Sequence, residues 1–117
     1  MSEARTVIWH NPRCSKSRQT LQLLRDRGIE PHVVDYQKTP PEKSQIAGAL
    51  DVLGIEPRAL MRTGEAVYRD LHLADEADGE KLIAAMHLHP VLIERPVVFH
   101  KGKAVIGRPP EKVLEII

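Results

Sequence analysis

The sequence predicts a single α/β domain over residues 1–117, built around a mixed sheet, and two patterns carry this prediction. Near the N-terminus, a strand, a helix and a second strand follow one another within about 35 residues, as in a βαβ unit with parallel strands and a right-handed crossover. Near the C-terminus, two β-branched runs flank the turn Lys101-Gly102 and predict a β-hairpin. The segment between them, at about 40–90, shows only helical patterns and is expected to be a helical insertion.

The first half of the chain divides clearly into elements. A buried strand is predicted at Thr6–Trp9, because its residues are β-branched or aromatic and the turn His10-Asn11-Pro12 follows. Leucines at helical spacing predict a helix from Cys14 to Arg27, which Gly28 ends. His32–Asp35 is predicted to be the second strand.

The second half begins with Thr39-Pro40-Pro41, which predicts a helix N-cap and a first turn. The helix it opens is expected to end near Gly54. The last segment, opened by Pro109-Pro110-Glu111, is predicted to be an amphipathic helix. Between these points the patterns predict three helical pieces, at Ser44–Leu53, Arg58–Arg62 and Glu80–Leu88. The two strands of the hairpin are predicted at Pro96–His100 and Lys103–Ile106.

The composition excludes several classes of function. Hydrophobic residues make up 42% of the chain, and a net charge of +1 provides no field that would draw it onto nucleic acid or an anionic membrane. No apolar run approaches the ~20 residues of a membrane span, and no signal-peptide core follows Met1, so a cytoplasmic location is expected. The few aromatic residues are too scattered for a base-stacking platform and are expected in the core: Trp9, Tyr36, Tyr68 and Phe99.

The only cysteine, Cys14, stands where the first strand meets the start of the first helix. Free backbone N–H groups and the helix dipole stabilise a negative charge there, so the pKa of the thiol is expected to be low. Arg13, Lys16 and Arg18 add positive charge, and His10 and Ser17 could donate hydrogen bonds if the turn folds back. The pattern predicts a nucleophilic thiol.

The same segment is compatible with an inert buried cysteine or with a phosphate site without chemistry. A phosphatase loop would need arginine six positions after Cys14, where the sequence has Thr20, and a dithiol motif would need cysteine at Ser17. His87 and His89 point to different faces of a helix and no cysteine cluster completes a set of ligands, so no metal is expected.

Five separated motifs, taken in order, resemble the glutaredoxin-coupled arsenate reductases of the ArsC family. The resemblance runs nearly from end to end of the chain. The motifs are His10-Asn11-Pro12-Arg13-Cys14, Thr39-Pro40-Pro41, Arg58-Ala59-Leu60-Met61-Arg62, His89-Pro90-Val91-Leu92-Ile93-Glu94-Arg95-Pro96 and Gly107-Arg108-Pro109.

The resemblance implies a thioredoxin/glutaredoxin-like fold with a helical insertion and a cis peptide bond before Pro96. It also implies that Cys14 is the nucleophile, that His10 tunes it, and that Ser17 could donate its hydroxyl to the thiolate. The oxyanion would be bound by three arginines whose planar guanidinium groups suit a tetrahedral anion, namely Arg62, Arg95 and Arg108.

The implied reaction begins with attack of the Cys14 thiolate on arsenic(V), which gives a covalent adduct. Since the chain has no second cysteine, glutathione would attack next as a co-substrate and a glutaredoxin would complete the reduction to arsenite, with no bound cofactor. Ser15-Lys16 departs from the Gly-Thr of the best-known members, which leaves open a glutathione-dependent oxidoreductase that does not act on arsenate. A second alternative is a regulator that binds RNA polymerase, like the related Spx-type proteins, although this chain lacks the Cys-x-x-Cys switch that often marks them.

Overall fold

A computed structural model describes residues 5–117 and contains a four-stranded mixed sheet in the order β2-β1-β3-β4. The strands are β1 (Thr6–His10), β2 (His32–Asp35), β3 (Val97–His100) and β4 (Lys103–Ile106). β1 pairs with β2 in parallel, and β3 pairs with β1 and with β4 in antiparallel fashion. The predicted fold class, α/β with a mixed sheet, is therefore confirmed.

The helix α1 (Ser15–Asp26) connects the two parallel strands, as the βαβ pattern predicts. Its Leu24 is fully buried with Ile8 of β1, Val98 of β3 and Val113 near the C-terminus, and these four residues form one hydrophobic cluster. Burying such aliphatic side chains contributes about 1.5–3 kcal/mol each, which fixes α1 against the sheet. The start of α1, where Cys14 lies, is thereby held at the end of β1.

The chain divides into two compact units, and each is described by itself. The first contains the sheet, α1 and the C-terminal segment. The second, Pro40–Glu94, contains three α-helices, three short 3₁₀ helices and one isolated β-bridge between Met61 and Ile93. Its helices are α2 (Lys43–Leu53), α3 (Ala66–Asp70), α4 (Gly79–Leu88) and the 3₁₀ helices Pro57–Leu60, Leu73–Asp75 and Pro90–Leu92.

The second unit is held partly by Arg58, whose guanidinium joins three separate segments. Its Nη1 donates to the Tyr68 hydroxyl at 2.5 Å and to the Leu73 carbonyl at 2.9 Å, and its Nη2 donates to the Glu76 carbonyl. A charged donor strengthens each of these hydrogen bonds. Arg58 therefore links α3 to the first residue of the 3₁₀ helix Leu73–Asp75 and to Glu76, which follows that helix.

Two element predictions are wrong in detail, and one helix was not predicted. The helix expected to open at Thr39-Pro40-Pro41 begins at Lys43, because Glu42 is its N-cap and forms a capping box with Gln45. The helix expected at the C-terminus is a 3₁₀ helix, Pro110–Glu115, which at six residues is longer than most 3₁₀ segments. The short helix α3 had no clear sequence pattern and was not predicted.

The aromatic residues were expected in the core, and this prediction is confirmed for Trp9, Tyr36 and Tyr68, which are buried. Phe99 is only half-buried and packs edge-to-face on Trp9, with ring centroids 5.1 Å apart. No helix within residues 5–117 is long and apolar enough to cross a membrane.

Candidate active site

The ends of all four strands meet at one edge of the sheet, and Cys14 lies at this edge. The pairing of His10 with Asp35 aligns the ends of β1 and β2, and the pairing of Trp9 with Val97 brings the start of β3 to the same place. Ile106 at the end of β4 lies opposite Val97. Residues that follow β1, β2 and β4, or precede β3, are thus brought together by the sheet alone.

Cys14 is the N-cap residue of α1, and its thiol is half-buried. Burial favours the neutral thiol, yet the pKa of Cys14 is lowered, because hydrogen bonding from the N–H groups of Ser17 and Lys16 and from the Arg95 side chain outweighs burial, helped by the charge of Arg95. The side chain makes no regular N-cap hydrogen bond. The low thiol pKa expected from the helix terminus is therefore present in the structure.

Arg95 and Arg108 approach the thiol from the β3 and β4 side of the sheet edge. Arg95 comes directly before the cis bond to Pro96, as the resemblance implied, and Arg108 also precedes a cis proline. Nη1 of Arg108 lies 3.9 Å from Cys14 Sγ and donates to the Arg95 carbonyl at 3.2 Å. Both guanidinium groups thus interact with the sulfur.

The Arg95 side chain contains buried donors without an acceptor. Its Nε and Nη1 are shielded from solvent and have no hydrogen-bond partner in the described part of the chain. Buried polar atoms in folded proteins nearly always have a partner, and an unsatisfied charged donor is costly. Together with the adjacent thiol, these donors form a site suited to an anion.

The loop between β1 and α1 is fixed by Asn11, a buried residue to which the sequence patterns gave no separate role. Its carbonyl accepts the N–H of Cys14 at 3.0 Å, and its side-chain Oδ1 accepts the N–H of Arg13 at 2.9 Å. Its own N–H donates to Ser17 Oγ at 3.0 Å. The Asn-Pro pair was a detectable signal, because asparagine side chains commonly hold such turns.

His10 and Ser17 are buried together beneath this loop. His10 Nδ1 and Ser17 Oγ are 2.6 Å apart, so the Ser17 hydroxyl interacts with the imidazole. Burial lowers the pKa of His10, and Arg25 and Arg18 lower it further against the opposing charge of Asp35, so the ring is neutral at pH 7. Because Ser17 Oγ already accepts the N–H of Asn11, a bond in which the hydroxyl donates to Nδ1 satisfies both groups.

Arg62, the third predicted arginine, belongs to the second unit. Its Nε pairs with Glu65 at 3.0 Å and its Nη1 pairs with Glu94 at 2.9 Å. Burial lowers the pKa of Arg62, but these two carboxylates raise it by more, and the guanidinium stays charged. Within its own unit Arg62 is thus a satisfied ion-paired residue, and it borders a shallow pocket with Thr63 and Gly64.

Among the residues that the structure describes, no group of three or more His, Cys, Asp or Glu side chains is arranged to hold a metal ion.

Comparison with known proteins gives consistent matches over nearly the whole chain. The model of the ArsC family matches residues 9–116. The uncharacterized protein YfgD of Escherichia coli K12 is 53% identical over 112 residues, which are 94% of each chain. The arsenate reductase of Neisseria meningitidis serogroup A is 43% identical over 112 residues, 94% of this chain and 96% of the relative. Among solved structures, arsenate reductase from Vibrio cholerae superposes with a TM-score of 0.95 at 48% identity, over 97% of this chain and 98% of the other.

Proposed function

Because this chain belongs to the ArsC family, we propose that it is an arsenate reductase in which Cys14 is the nucleophile. Arsenate would bind to Arg95 and Arg108 beside the thiol, and Arg62 would be a third ligand. Electrons would come from glutathione and a glutaredoxin. A reducing compartment such as the cytoplasm fits this chemistry, because the thiols of Cys14, glutathione and the glutaredoxin are kept reduced there.

The pair formed by the Cys14 thiol and the buried Arg95 guanidinium carries this proposal. The buried Nε and Nη1 of Arg95 are donors that still need an acceptor, and the same side chain lowers the pKa of the thiol. An arsenate oxygen hydrogen-bonded to these donors would place the arsenic atom close to the sulfur that attacks it. Arg95 alone would thus both bind arsenate and activate the Cys14 thiol.

The first step of the reaction is an exchange of ligands on arsenic. The Cys14 thiolate forms a bond to arsenic(V), and a hydroxyl group of arsenate takes up a proton and leaves as water. The guanidinium groups of Arg95 and Arg108 stabilise the negative charge on the remaining oxygens. Arsenic is still pentavalent in this adduct, so the reduction itself needs further thiols.

The two reducing electrons come from two external thiols, because the chain has one cysteine. Glutathione adds to arsenic and a second water leaves. A glutaredoxin thiolate then attacks the glutathione sulfur, the arsenic–sulfur electron pair stays on arsenic, and arsenic(V) becomes arsenic(III). The products are a glutaredoxin–glutathione disulfide and, after water cleaves the Cys14–arsenic bond, arsenite and the free thiol.

His10 and Ser17 are proposed to position the nucleophile. Neutral His10 is bonded to Ser17, and Ser17 Oγ accepts the N–H of Asn11, whose carbonyl holds the N–H of Cys14. This chain of hydrogen bonds fixes the loop so that the helix N-terminus meets the sulfur. In this arrangement the hydroxyl of Ser17 acts through the loop, and its backbone N–H acts on the thiol.

The proposal is tested by a coupled assay with arsenate, glutathione, a glutaredoxin, glutathione reductase and NADPH. The wild-type protein should oxidise NADPH in proportion to arsenate, and Cys14→Ser should abolish the reaction. The exposed residue Lys103, in β4, supplies a control variant, Lys103→Ala, that should retain activity. NADPH oxidation that is independent of arsenate, or that persists in Cys14→Ser, would contradict the proposed function.

A further inference from the structure

The β2 side of the Cys14 loop contains a polar cleft of about 200 Å³ that the oxyanion chemistry does not use. Its walls come from the loop before Cys14 and from the residues at and after the end of β2. We call it the β2 cleft, and it is lined by Asn11, Pro12, Arg13, Asp35, Gln37 and Lys38.

The β2 cleft adjoins the loop that carries Cys14. Arg13 is the residue before Cys14, and the carbonyl of Asn11 accepts the N–H of Cys14 at 3.0 Å. The strand order β2-β1-β3-β4 places the cleft on the opposite side of β1 from the residues beside β3 and β4. The Cys14 loop is therefore flanked by the β2 cleft on one side and by Arg95 and Arg108 on the other.

The charges in the β2 cleft form a defined pattern. Arg13 and Lys38 are exposed cations, and Asp35, the last residue of β2, is half-buried. Oδ1 of Asp35 accepts the N–H groups of Gln37 at 3.3 Å and Lys38 at 3.4 Å, which fixes the carboxylate. No ion pair within residues 5–117 joins Asp35 to either cation. The cleft thus offers two positive charges and one negative charge to a ligand.

We propose that the β2 cleft binds the small thiol that attacks the Cys14 adduct, and that this thiol is a peptide bearing two carboxylates and one ammonium group, as glutathione does. The inference rests on the proposed function and names a binding site for its reductant. The carboxylates pair with Arg13 and Lys38, and the ammonium pairs with Asp35. The thiol then reaches the arsenic atom bound to Cys14 from the β2 side of the loop, so glutathione does not have to displace the oxyanion from Arg95 and Arg108.

The proposal is tested without arsenate, on a mixed disulfide between Cys14 and 5-thio-2-nitrobenzoate. An incoming thiolate attacks Cys14 Sγ, the sulfur–sulfur bond breaks, and the coloured thionitrobenzoate leaves with the electron pair. Rate constants are measured for glutathione and for glutathione diethyl ester, which keeps the thiol and the ammonium but carries no carboxylate. Their ratio cancels any change in the reactivity of Cys14 itself.

In the wild-type protein, the rate constant for glutathione should be larger than the rate constant for its diethyl ester. The ratio of the two should fall about 3-fold in Arg13→Ala or Lys38→Ala and about 10-fold in the double variant, since an exposed ion pair contributes little more than this. The advantage of glutathione should also decrease with added salt. The control Lys103→Ala removes an exposed cation from β4 and should leave the ratio unchanged.

The contribution of Asp35 is measured with glutathione acetylated on its amino group. Asp35→Asn should slow the reaction of glutathione by about 3-fold relative to the acetylated thiol, because only glutathione has an ammonium group to lose its partner. A ratio of glutathione to its diethyl ester that is the same in the double variant as in the wild type would overturn the proposal. So would a double variant that is impaired only in its reaction with a glutaredoxin, because the cleft would then bind a protein partner.

The two proposals fail in different ways. If the ratios of rate constants for glutathione and its derivatives change as expected but the coupled assay shows no arsenate reduction, the β2 cleft binds the thiol and the proposed arsenate reductase function is wrong. If arsenate is reduced but these ratios do not change in Arg13→Ala and Lys38→Ala, the protein is an arsenate reductase and the assignment of the β2 cleft as the thiol site is wrong.

Discussion

Arg95 and Arg62 are chemically identical, but the two units of the molecule give them opposite environments. Arg62 makes ion pairs with Glu65 and Glu94 inside its own unit. Arg95 lies beside a thiol whose pKa it lowers, and two of its buried nitrogens have no partner among the described residues. An arginine whose donors are already satisfied contributes mainly to structure, whereas one with buried unsatisfied donors is available to a ligand.

The largest effect is expected from replacing these two arginines by lysine. Arg95→Lys keeps the charge but loses the planar fork, so kcat/KM for arsenate should fall about 10- to 100-fold and the pKa of Cys14 should rise. Arg62→Lys should lower kcat/KM by less and should not change the thiol pKa. Both are measured by the coupled assay and by iodoacetamide alkylation as a function of pH. Equal losses with an unchanged thiol pKa would remove the distinction between the two arginines.

The next largest effect is expected from replacing one glycine in each unit by alanine, because the two substitutions should change the free energy of unfolding in opposite directions. A Cβ at Gly107 would lie 2.7 Å from Thr20 Oγ1 and 2.9 Å from Pro96 Cγ, so Gly107→Ala should lower the free energy of unfolding by about 1–3 kcal/mol. It should also disturb Arg108 and raise the pKa of Cys14. Gly48, in α2, has open space around its Cα, and Gly48→Ala should stabilise the protein by about 0.5–1 kcal/mol.

These two variants are compared by urea unfolding and thiol alkylation. A stable Gly107→Ala protein with an unchanged thiol pKa would show that the close contact of α1 with the loop after β4 does not position the site.

A smaller effect is expected from Tyr68→Phe in the second unit. The substitution removes the hydroxyl that accepts a hydrogen bond from Arg58, while the two carbonyl acceptors remain. The free energy of unfolding should fall by about 1–2 kcal/mol. The pKa of Cys14 should not change, because the groups that lower it all belong to the first unit. A raised thiol pKa in this variant would contradict that independence.

The smallest effect is a pH dependence of stability caused by the thiol. The pKa of Cys14 is lower in the folded protein than its ordinary value of 9.0. Between these two values the unfolded chain binds more protons, so the free energy of unfolding should rise with pH. The extra stability is complete above pH 9 and is lost as the pH falls through the folded pKa. Under reducing conditions, the difference between wild type and Cys14→Ser isolates this contribution, and a flat difference would show that the thiol pKa is ordinary.

Local patterns predicted the parts of the molecule that depend on neighbouring residues in sequence. The βαβ unit follows from β-branched runs and a leucine pattern, and the reactive position of Cys14 follows from its place before α1. The capping box at Glu42 and Gln45 was present in the sequence, but Thr39 and two prolines gave a stronger pattern nearby. Pro110–Glu115 packs Val113 into the core as a 3₁₀ helix, and its local sequence pattern did not distinguish this geometry from an α-helix.

The placement of Arg95 and Arg108 beside Cys14 could not be predicted from local patterns. Arg95 and Arg108 lie far from Cys14 in sequence and reach it only because β3 and β4 are antiparallel partners at one sheet edge. Only the family motifs identified them beforehand. Asp35 and Lys38 were not identified at all, because a charged residue after a short strand is common, and only the register of β2 on β1 brings these residues to the Cys14 loop.

The strand order also has a consequence for the protection of backbone amides. β1 and β3 are the inner strands, and they position the thiol and Arg95, whereas β2 and β4 are edge strands that position the β2 cleft and Arg108. Inner strands open only in large unfolding events, while edge strands open locally at lower cost. Hydrogen exchange should therefore be slowest in β1 and β3. The bond-forming groups would then be held rigidly, while the segments on either side could adjust to the shape of each reactant.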